Sequence, residues 1–295
     1  MPTAECAVTY DSPKQISLFL KDKGLTLKKR FGQNFLVSPG ARRKILSLLE
    51  PLPGETLWEI GPGIGSMTHM LVGNVEKLFA FEIDHGLIRV LEESLGNVST
   101  LVVVAGDYLK TWRRTSELHG LPDAVVGNLP YNAAAPIIAS LTEWEAPVRR
   151  AVFTVQREVA RRMAASPRTK DYSSFSLTCQ ARFDVQLHGD IAPASFYPVP
   201  EVTSTIVRLV PNTRDRSCDP GLFAEVVRIL FAARRKTIRN NLLSERNGEL
   251  YSRGIVETVL REAEIDPTAR GEELSVDEVV GLVVALERAR RGKAI

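Results

Sequence analysis

Five short apolar runs, separated by stretches of helical pattern, constrain this chain more than any other feature. They are Thr56–Ile60, Leu78–Ile83, Thr100–Ala105, Ala124–Gly127 and Ala151–Val155. Each is continuously apolar rather than alternating, as expected of strands covered on both faces. His85–Leu95, between two of them, reads as a helix. Strands separated by helices build a parallel sheet joined by right-handed crossovers.

The flanking segments extend this plan. Ser12-Pro13 and Ser38-Pro39 each open a helix, because serine caps and proline suits the first turn. Gly24 ends the first, and Ile45, Leu46, Leu48 and Leu49 give the second its apolar face. After about Val159 the pattern changes. Phe175–Cys179, Phe183–His188 and Ser204–Val210 read as strands, and successive strands without a helix between them point to an antiparallel addition at one sheet edge. From Pro220 onward the chain reads as helical, with candidate helices Leu222–Ala233, Ile255–Ala263 and Val276–Arg290. The polar stretch Pro211–Pro220 is the natural linker. The expected architecture is an α/β domain over residues 1–210, with a mostly parallel sheet and an antiparallel edge. A small all-helical C-terminal domain follows over 211–295.

Composition excludes several classes. Of 295 residues, 44% are hydrophobic and 25% charged, ordinary for a soluble globular protein. No apolar stretch approaches the length of a membrane span. The opening MPTAECAVTYDSPKQ lacks a basic region followed by an apolar one, so secretion is not expected. Cys6, Cys179 and Cys218 are far apart, and His69, His85, His119 and His188 are scattered. Neither a disulfide framework nor a metal site is expected, and a cytoplasmic location follows. The net charge of +3 says little about partners. The distribution says more, with basic clusters at Lys28-Lys29-Arg30, at Arg234-Arg235-Lys236 with Arg239, and at Arg288, Arg290, Arg291 and Lys293. Each alone is equally a solvated face.

Chemistry-bearing residues stand where the strands end. Glu59-Ile60-Gly61-Pro62-Gly63-Ile64-Gly65 closes the first strand, and glycines there let a ligand approach backbone amides. Such a turn fits NAD, FAD or S-adenosylmethionine, or is only tight. Glu82, about twenty residues on, is placed to accept hydrogen bonds from a ribose diol. Asp107, after the third strand, can accept from an adenine amino group or cap the helix that follows.

Asn128-Leu129-Pro130-Tyr131 after the fourth strand decides among these. The exocyclic amine of adenine is a poor nucleophile, because its lone pair is delocalised into the ring. The Asn128 side-chain oxygen and the Leu129 carbonyl can each accept one N–H, favouring a pyramidal nitrogen. Pro130 fixes the turn. Tyr131 offers a flat face worth roughly 1–3 kcal/mol of base stacking. With a sulfonium as electrophile no strong base is required, and positioning carries most of the catalysis.

Taken together, KKRFGQNFL (Lys28–Leu36), EIGPGIG (Glu59–Gly65), FEID (Phe81–Asp84), GD (Gly106–Asp107) and GNLPYN (Gly127–Asn132) resemble the Rossmann-like Class I S-adenosylmethionine-dependent methyltransferases. With SFYPVPEVTS (Ser195–Ser204), ARRKTIRNNL (Ala233–Leu242) and IDPTARGEELSVDE (Ile265–Glu278), the chain is similar to the small-subunit ribosomal RNA adenine N6-dimethyltransferases of the KsgA or RsmA type. The resemblance implies roles. Asn34 and Leu36 close over the cofactor, Gly61 touches it, Glu82 holds its ribose, Asp107 its adenine, and Asn128 sits at the methyl group. Phe196 becomes the second wall of a base sandwich opposite Tyr131, replacing stacking lost when the base flips out. Arg234, Arg235 and Lys236 become phosphate contacts. The implied substrate is a pair of adjacent adenosines in a 3′-terminal hairpin loop of 16S ribosomal RNA, and a monomer is expected. The chain departs from the family at Ala133-Ala134-Ala135 and at Glu201, where bulkier or basic residues are common.

Three rivals are weaker. A dinucleotide-dependent oxidoreductase has no use for Asn128–Tyr131. A large-subunit RNA methyltransferase of the macrolide-resistance type shares that tetrapeptide but not Ile265–Glu278. A non-catalytic assembly factor has no need of Glu82, Asp107 and Asn128 together.

Overall fold

The computed structural model describes residues 9–28, 31–144, 146, 148–213, 218–244 and 251–292. Lys29, Arg30 and Lys293, which belong to the basic clusters, lie outside them. Strands are β1 (Phe35–Leu36), β2 (Thr56–Ile60), β3 (Lys77–Glu82), β4 (Leu101–Ala105), β5 (Ala124–Asn128), β6 (Arg150–Gln156), β7 (Phe183–Ile191), β8 (Phe196–Tyr197) and β9 (Ser204–Pro211). Helices are α1 (Pro13–Asp22), α2 (Pro39–Leu49), α3 (Thr68–Leu71), α4 (His85–Leu95), α5 (Tyr108–His119), α6 (Ala134–Leu141), α7 (Arg157–Met163), α8 (Ser174–Gln180), α9 (Pro220–Leu230), α10 (Ile238–Leu242), α11 (Arg253–Glu262) and α12 (Val276–Gly292).

The main sheet has the order β4-β3-β2-β5-β6-β9-β7. β2 pairs in parallel with both β3 and β5, so the chain reverses direction of travel across the sheet at β2. That reversal leaves a crevice at the carboxyl ends of β2 and β5, the place where open α/β sheets bind ligands. β9 runs antiparallel to β6, giving the expected antiparallel edge. Both faces are covered around the centre. Leu57, Leu78, Val126 and Val152 pack with α2 residues Ile45 and Leu49. Trp58 meets Phe81, Tyr108 and Trp144 in an aromatic group. β4, at the sheet edge, is only half-buried, unlike the fully covered strand its sequence implies.

The helix starts follow from local chemistry. Ser12 accepts from the Gln15 amide at 3.3 Å and Ser38 from the Ala41 amide at 3.3 Å, each with proline in the first turn. Asp219 likewise accepts from Leu222 N at 2.6 Å.

The expectation for Phe175–Cys179 fails: the segment is not a strand but the body of helix α8. The five residues alternate apolar and polar as a strand would, but so short an alternation does not decide the element, and Ser173 and Ser176 close a reciprocal capping box that starts a helix here.

The chain divides into two units. One runs through Ala160 and takes in Val185–Pro211; the other takes Arg161–Asp184 and the chain from Asn212 on. The second unit therefore begins upstream of the 210/211 boundary read from the sequence. Its core gathers Leu222, Val226, Leu230, Val256, Leu260, Val279 and Leu286 from α9, α11 and α12, with Tyr172 and Leu177. The Tyr172 hydroxyl donates to the Leu274 carbonyl at 2.7 Å within this unit. No helix among the described residues is long and apolar enough to cross a membrane.

Candidate active site

At the carboxyl ends of β2, β3 and β5 lies a cavity of about 330 Å³. Asn34, Leu36, Gly61, Glu82, Asp107 and Asn128 all line it. Sequence reasoning named these six separately, and the fold brings them together.

The glycine turn has left-handed backbone at Gly61 (φ 72°) and Gly63 (φ 62°), which L side chains rarely adopt. A Cβ at Gly63 would stand 2.9 Å from the Phe35 ring, so this turn is built around close approach. Glu82 is buried, and one carboxylate oxygen accepts from Gly63 N at 3.1 Å. The other accepts from Asp84 N at 2.9 Å. Burial pushes the Glu82 carboxyl up to about 7, against the pull of those amides and helped by the nearby Asp84 charge. Glu59 behind it is wholly buried, and burial with the Glu82 charge also pushes it up to about 7. The Thr68 hydroxyl is near enough to pull the Glu59 carboxyl down against that burial, but no hydrogen bond of good geometry reaches either oxygen from the described residues.

Asp84 is a hub that sequence reasoning missed. It caps α4 through Gly86 N at 2.9 Å, and accepts from Lys28 Nζ at 2.9 Å and Gln33 Nε2 at 3.0 Å. Burial raises its carboxyl, but these donors outweigh burial and hold it below the usual carboxylate range. Lys28 and Gln33 are thereby tied to the acid end of β3. Asp84 before a helix is a legible cap signal; its long-range partners are not.

Asp107 caps α5 through Leu109 N at 3.0 Å and also lines the cavity. Asn128 ends β5 with its carboxamide held on both sides. Nδ2 donates to the Asn34 carbonyl at 2.6 Å, and the Thr154 hydroxyl donates to Oδ1. Asn34 thus reaches the site through its backbone, while its own amide donates to Gly32 O at 3.1 Å. Leu129 N donates to the Thr154 carbonyl at 3.1 Å, and the turn closes with Ala133 N on Pro130 O at 2.9 Å. A Cβ at Gly32 would lie 3.3 Å from Pro130, so the Gly32–Asn34 loop rests directly on the tetrapeptide.

Tyr131 is half-buried, and its hydroxyl shares a 2.8 Å hydrogen bond with Ser204 on β9. Burial raises the phenol, opposed by that bond. Phe196 differs from expectation. It is 1% exposed and packs into the core with Leu36, its partner across the β1–β8 pair. Strand alternation turns Phe196 inward and leaves its neighbour Tyr197 half-exposed. An open aromatic wall at Phe196 is therefore absent from the described conformation.

Among the basic residues, Arg234 is engaged within the helical unit, with Nη2 2.7 Å from Glu272 and 3.4 Å from the Tyr172 carbonyl. Arg235 and Lys236 beside it are exposed. Among the described residues no group of three or more His, Cys, Asp or Glu side chains is placed to hold a metal ion.

The family model described as Ribosomal RNA adenine dimethylase matches residues 24–285. A protein of Treponema pallidum named Ribosomal RNA small subunit methyltransferase A is 40% identical over 279 residues, covering 94% of this chain and 97% of that protein. One of the same name from Aromatoleum aromaticum is 42% identical over 257 residues, covering 86% and 92%. Among solved structures, a dimethyladenosine transferase from Plasmodium falciparum superposes with a TM-score of 0.74 at 23% identity, covering 86% of this chain and 97% of that one. The 23S rRNA methyltransferase ErmE gives 0.61 at 25% identity, covering 85% and 99%.

Proposed function

This chain belongs to the ribosomal RNA adenine dimethylase family, and on that premise we propose that it methylates N6 of two adjacent adenosines in a 3′-terminal hairpin loop of 16S ribosomal RNA during small-subunit biogenesis. The product is N6,N6-dimethyladenosine and the methyl donor is S-adenosylmethionine. The observation that carries the reading is that Asn128 lines the same cavity as Gly61, Glu82 and Asp107.

The donor set fits that cofactor. Glycines with left-handed backbone give close approach, Glu82 offers a carboxylate to a ribose diol, and Asp107 an acceptor for an adenine amine. When bound, S-adenosylmethionine supplies an electrophilic methyl on a sulfonium. The chain's own residues do the rest. Asn128 Oδ1 and the Leu129 carbonyl accept the two N–H bonds of the target amine, Tyr131 stacks on the base, and the Gly32–Asn34 loop covers the donor. Orienting the amine in this way converts a two-body encounter into a fixed approach. Phe196 supplies the second wall only if the β1–β8 pair opens to expose it. The unit formed by the chain through Ala160 and Val185–Pro211 carries the chemistry, and the helical unit docks RNA through Arg235 and Lys236, with Arg234 beside them. We place the enzyme in the cytoplasm as a monomer.

Label transfer tests this. The purified protein, given methyl-labelled S-adenosylmethionine, is expected to label small ribosomal subunits lacking the modification and not large ones. Label confined to large subunits would overturn the substrate assignment.

A further inference from the structure

Thr154 makes two contacts with the tetrapeptide from the neighbouring strand. It stands opposite Asn128 in the β5–β6 pair and is 1% exposed. Its carbonyl accepts from Leu129 N at 3.1 Å, where β5 gives way to the turn. Its hydroxyl donates to Asn128 Oδ1. The two residues it holds are the two that present acceptors to the target amine.

The chemistry of a carboxamide makes this hold consequential. Oδ1 can accept two hydrogen bonds and Nδ2 can only donate. Catalysis by the proposed route needs Oδ1, not Nδ2, at the amine. The Asn34 carbonyl can only accept, so it selects the orientation that points Nδ2 at it. The Thr154 hydroxyl fills one lone pair of Oδ1 and leaves the other for the substrate. A β-branched side chain has few χ1 choices, so this hydroxyl is stiffly aimed. A buried hydroxyl also loses free energy when left without a partner, so the contact is self-maintaining.

We propose that Thr154 is a positioning residue for adenine methylation: its hydroxyl sets the side-chain rotamer of Asn128 while its carbonyl sets the start of the turn that carries Leu129, so that both acceptors converge on one amine. The proposal rests on the reading of the reaction given above.

Two substitutions separate the hydroxyl from the shape of the side chain. Thr154→Val keeps the branched shape and loses the hydroxyl; Thr154→Ser keeps the hydroxyl and loses the methyl. Single-turnover rate and kcat are measured on unmodified small subunits, with KM for the subunit. Calorimetric Kd for S-adenosylmethionine and the thermal midpoint are measured on the same preparations. Rate is expected to follow the hydroxyl. Thr154→Val should lower kcat about tenfold, the rate equivalent of one ordinary hydrogen bond. KM and the cofactor Kd should stay within about twofold, as for an interaction used in the transition state. Thr154→Ser should recover most of the rate. If Thr154→Val melts early, Thr154→Ala replaces it as the hydroxyl-free partner of Thr154→Ser. Wild-type kcat in the hydroxyl-free variant, or equal losses with and without the hydroxyl, overturns the proposal. A wild-type protein that labels no small subunits overturns the reading of the reaction, and the proposal falls with it.

Discussion

Asn128 Nδ2 donates to the backbone carbonyl of Asn34 at 2.6 Å across 94 residues of sequence. The Gly32–Asn34 loop beside the cavity and Asn128 at the end of β5 are thus one hydrogen-bonded unit. Asn128→Ala is expected to abolish transfer and leave cofactor binding weakened but measurable. Asn128→Asp keeps the size and an acceptor but loses the donor to Asn34, and should lower kcat on the order of a hundredfold or more. Turnover assays beside calorimetric cofactor titration check both. Full turnover in either variant would remove Asn128 from the mechanism.

Glu82 gives cofactor binding a pH dependence. Its carboxyl is pushed up to about 7, so it is mostly protonated below that pH. A protonated carboxyl accepts a ribose diol poorly, so binding favours the ionised form. Affinity for S-adenosylmethionine should rise with pH through about 7 and then level. The loss should approach tenfold per pH unit below that point. Glu82→Gln should bind weakly at pH 8 and lose the slope. A flat wild-type profile between pH 5.5 and 8 would contradict this assignment.

Glu59 is a stability liability rather than a ligand. A folded-state pKa near 7 against 4.5 in the unfolded chain means the folded state holds the proton more tightly. Stability therefore falls as pH rises from about 4.5 to 7 and stays lowered above. Glu59→Gln removes the buried charge. It should raise the thermal midpoint at pH 8, by up to about 3 kcal/mol in stability, and do little at pH 4.5. Melting curves at the two pH values decide it; a variant less stable at pH 8 than the wild type would refute it.

Tyr131 should act through its ring. Tyr131→Ala is expected to cost roughly 1–3 kcal/mol of base stacking, seen in kcat/KM. Tyr131→Phe loses only the hydroxyl bond to Ser204 and should retain most activity. Equal losses in the two variants would show that the Ser204 contact, not stacking, is what matters.

Much of this was legible in the sequence because strand ends are marked. Gly61, Asp107 and Asn128 each follow an apolar run and Glu82 stands at the end of one, and the parallel sheet brings such ends to one edge. What was not legible depends on partners distant in the chain. Thr154 lies inside an apolar strand and carries no local signal; only the β5–β6 register gives it a role. The motif around Phe196 suits a base wall, but strand alternation, which no local signal fixes, buries it beside Leu36. Phe175–Cys179 was too short for its period to separate helix from strand. Arg234 appeared free in a run of basic residues, and only the fold supplies Glu272.

That last pairing divides the basic run. Arg235→Ala and Lys236→Ala should each reduce the slope of log affinity against log salt by about one on small-subunit RNA. Arg234→Ala should change it less. Filter binding over a salt series checks this, and equal slopes for all three variants would argue that Arg234 leaves Glu272 to meet phosphate.

Asn128 is expected to present the N6 amine of small-subunit adenosines for methyl transfer. Nucleoside analysis of 16S RNA after exhaustive reaction of unmodified small subunits tests it most directly. The expected product is N6,N6-dimethyladenosine at two adjacent positions near the 3′ end, absent when Asn128→Ala replaces the wild type. Methyl groups on a ribose or on another base, or dimethyladenosine still formed by Asn128→Ala, would contradict it.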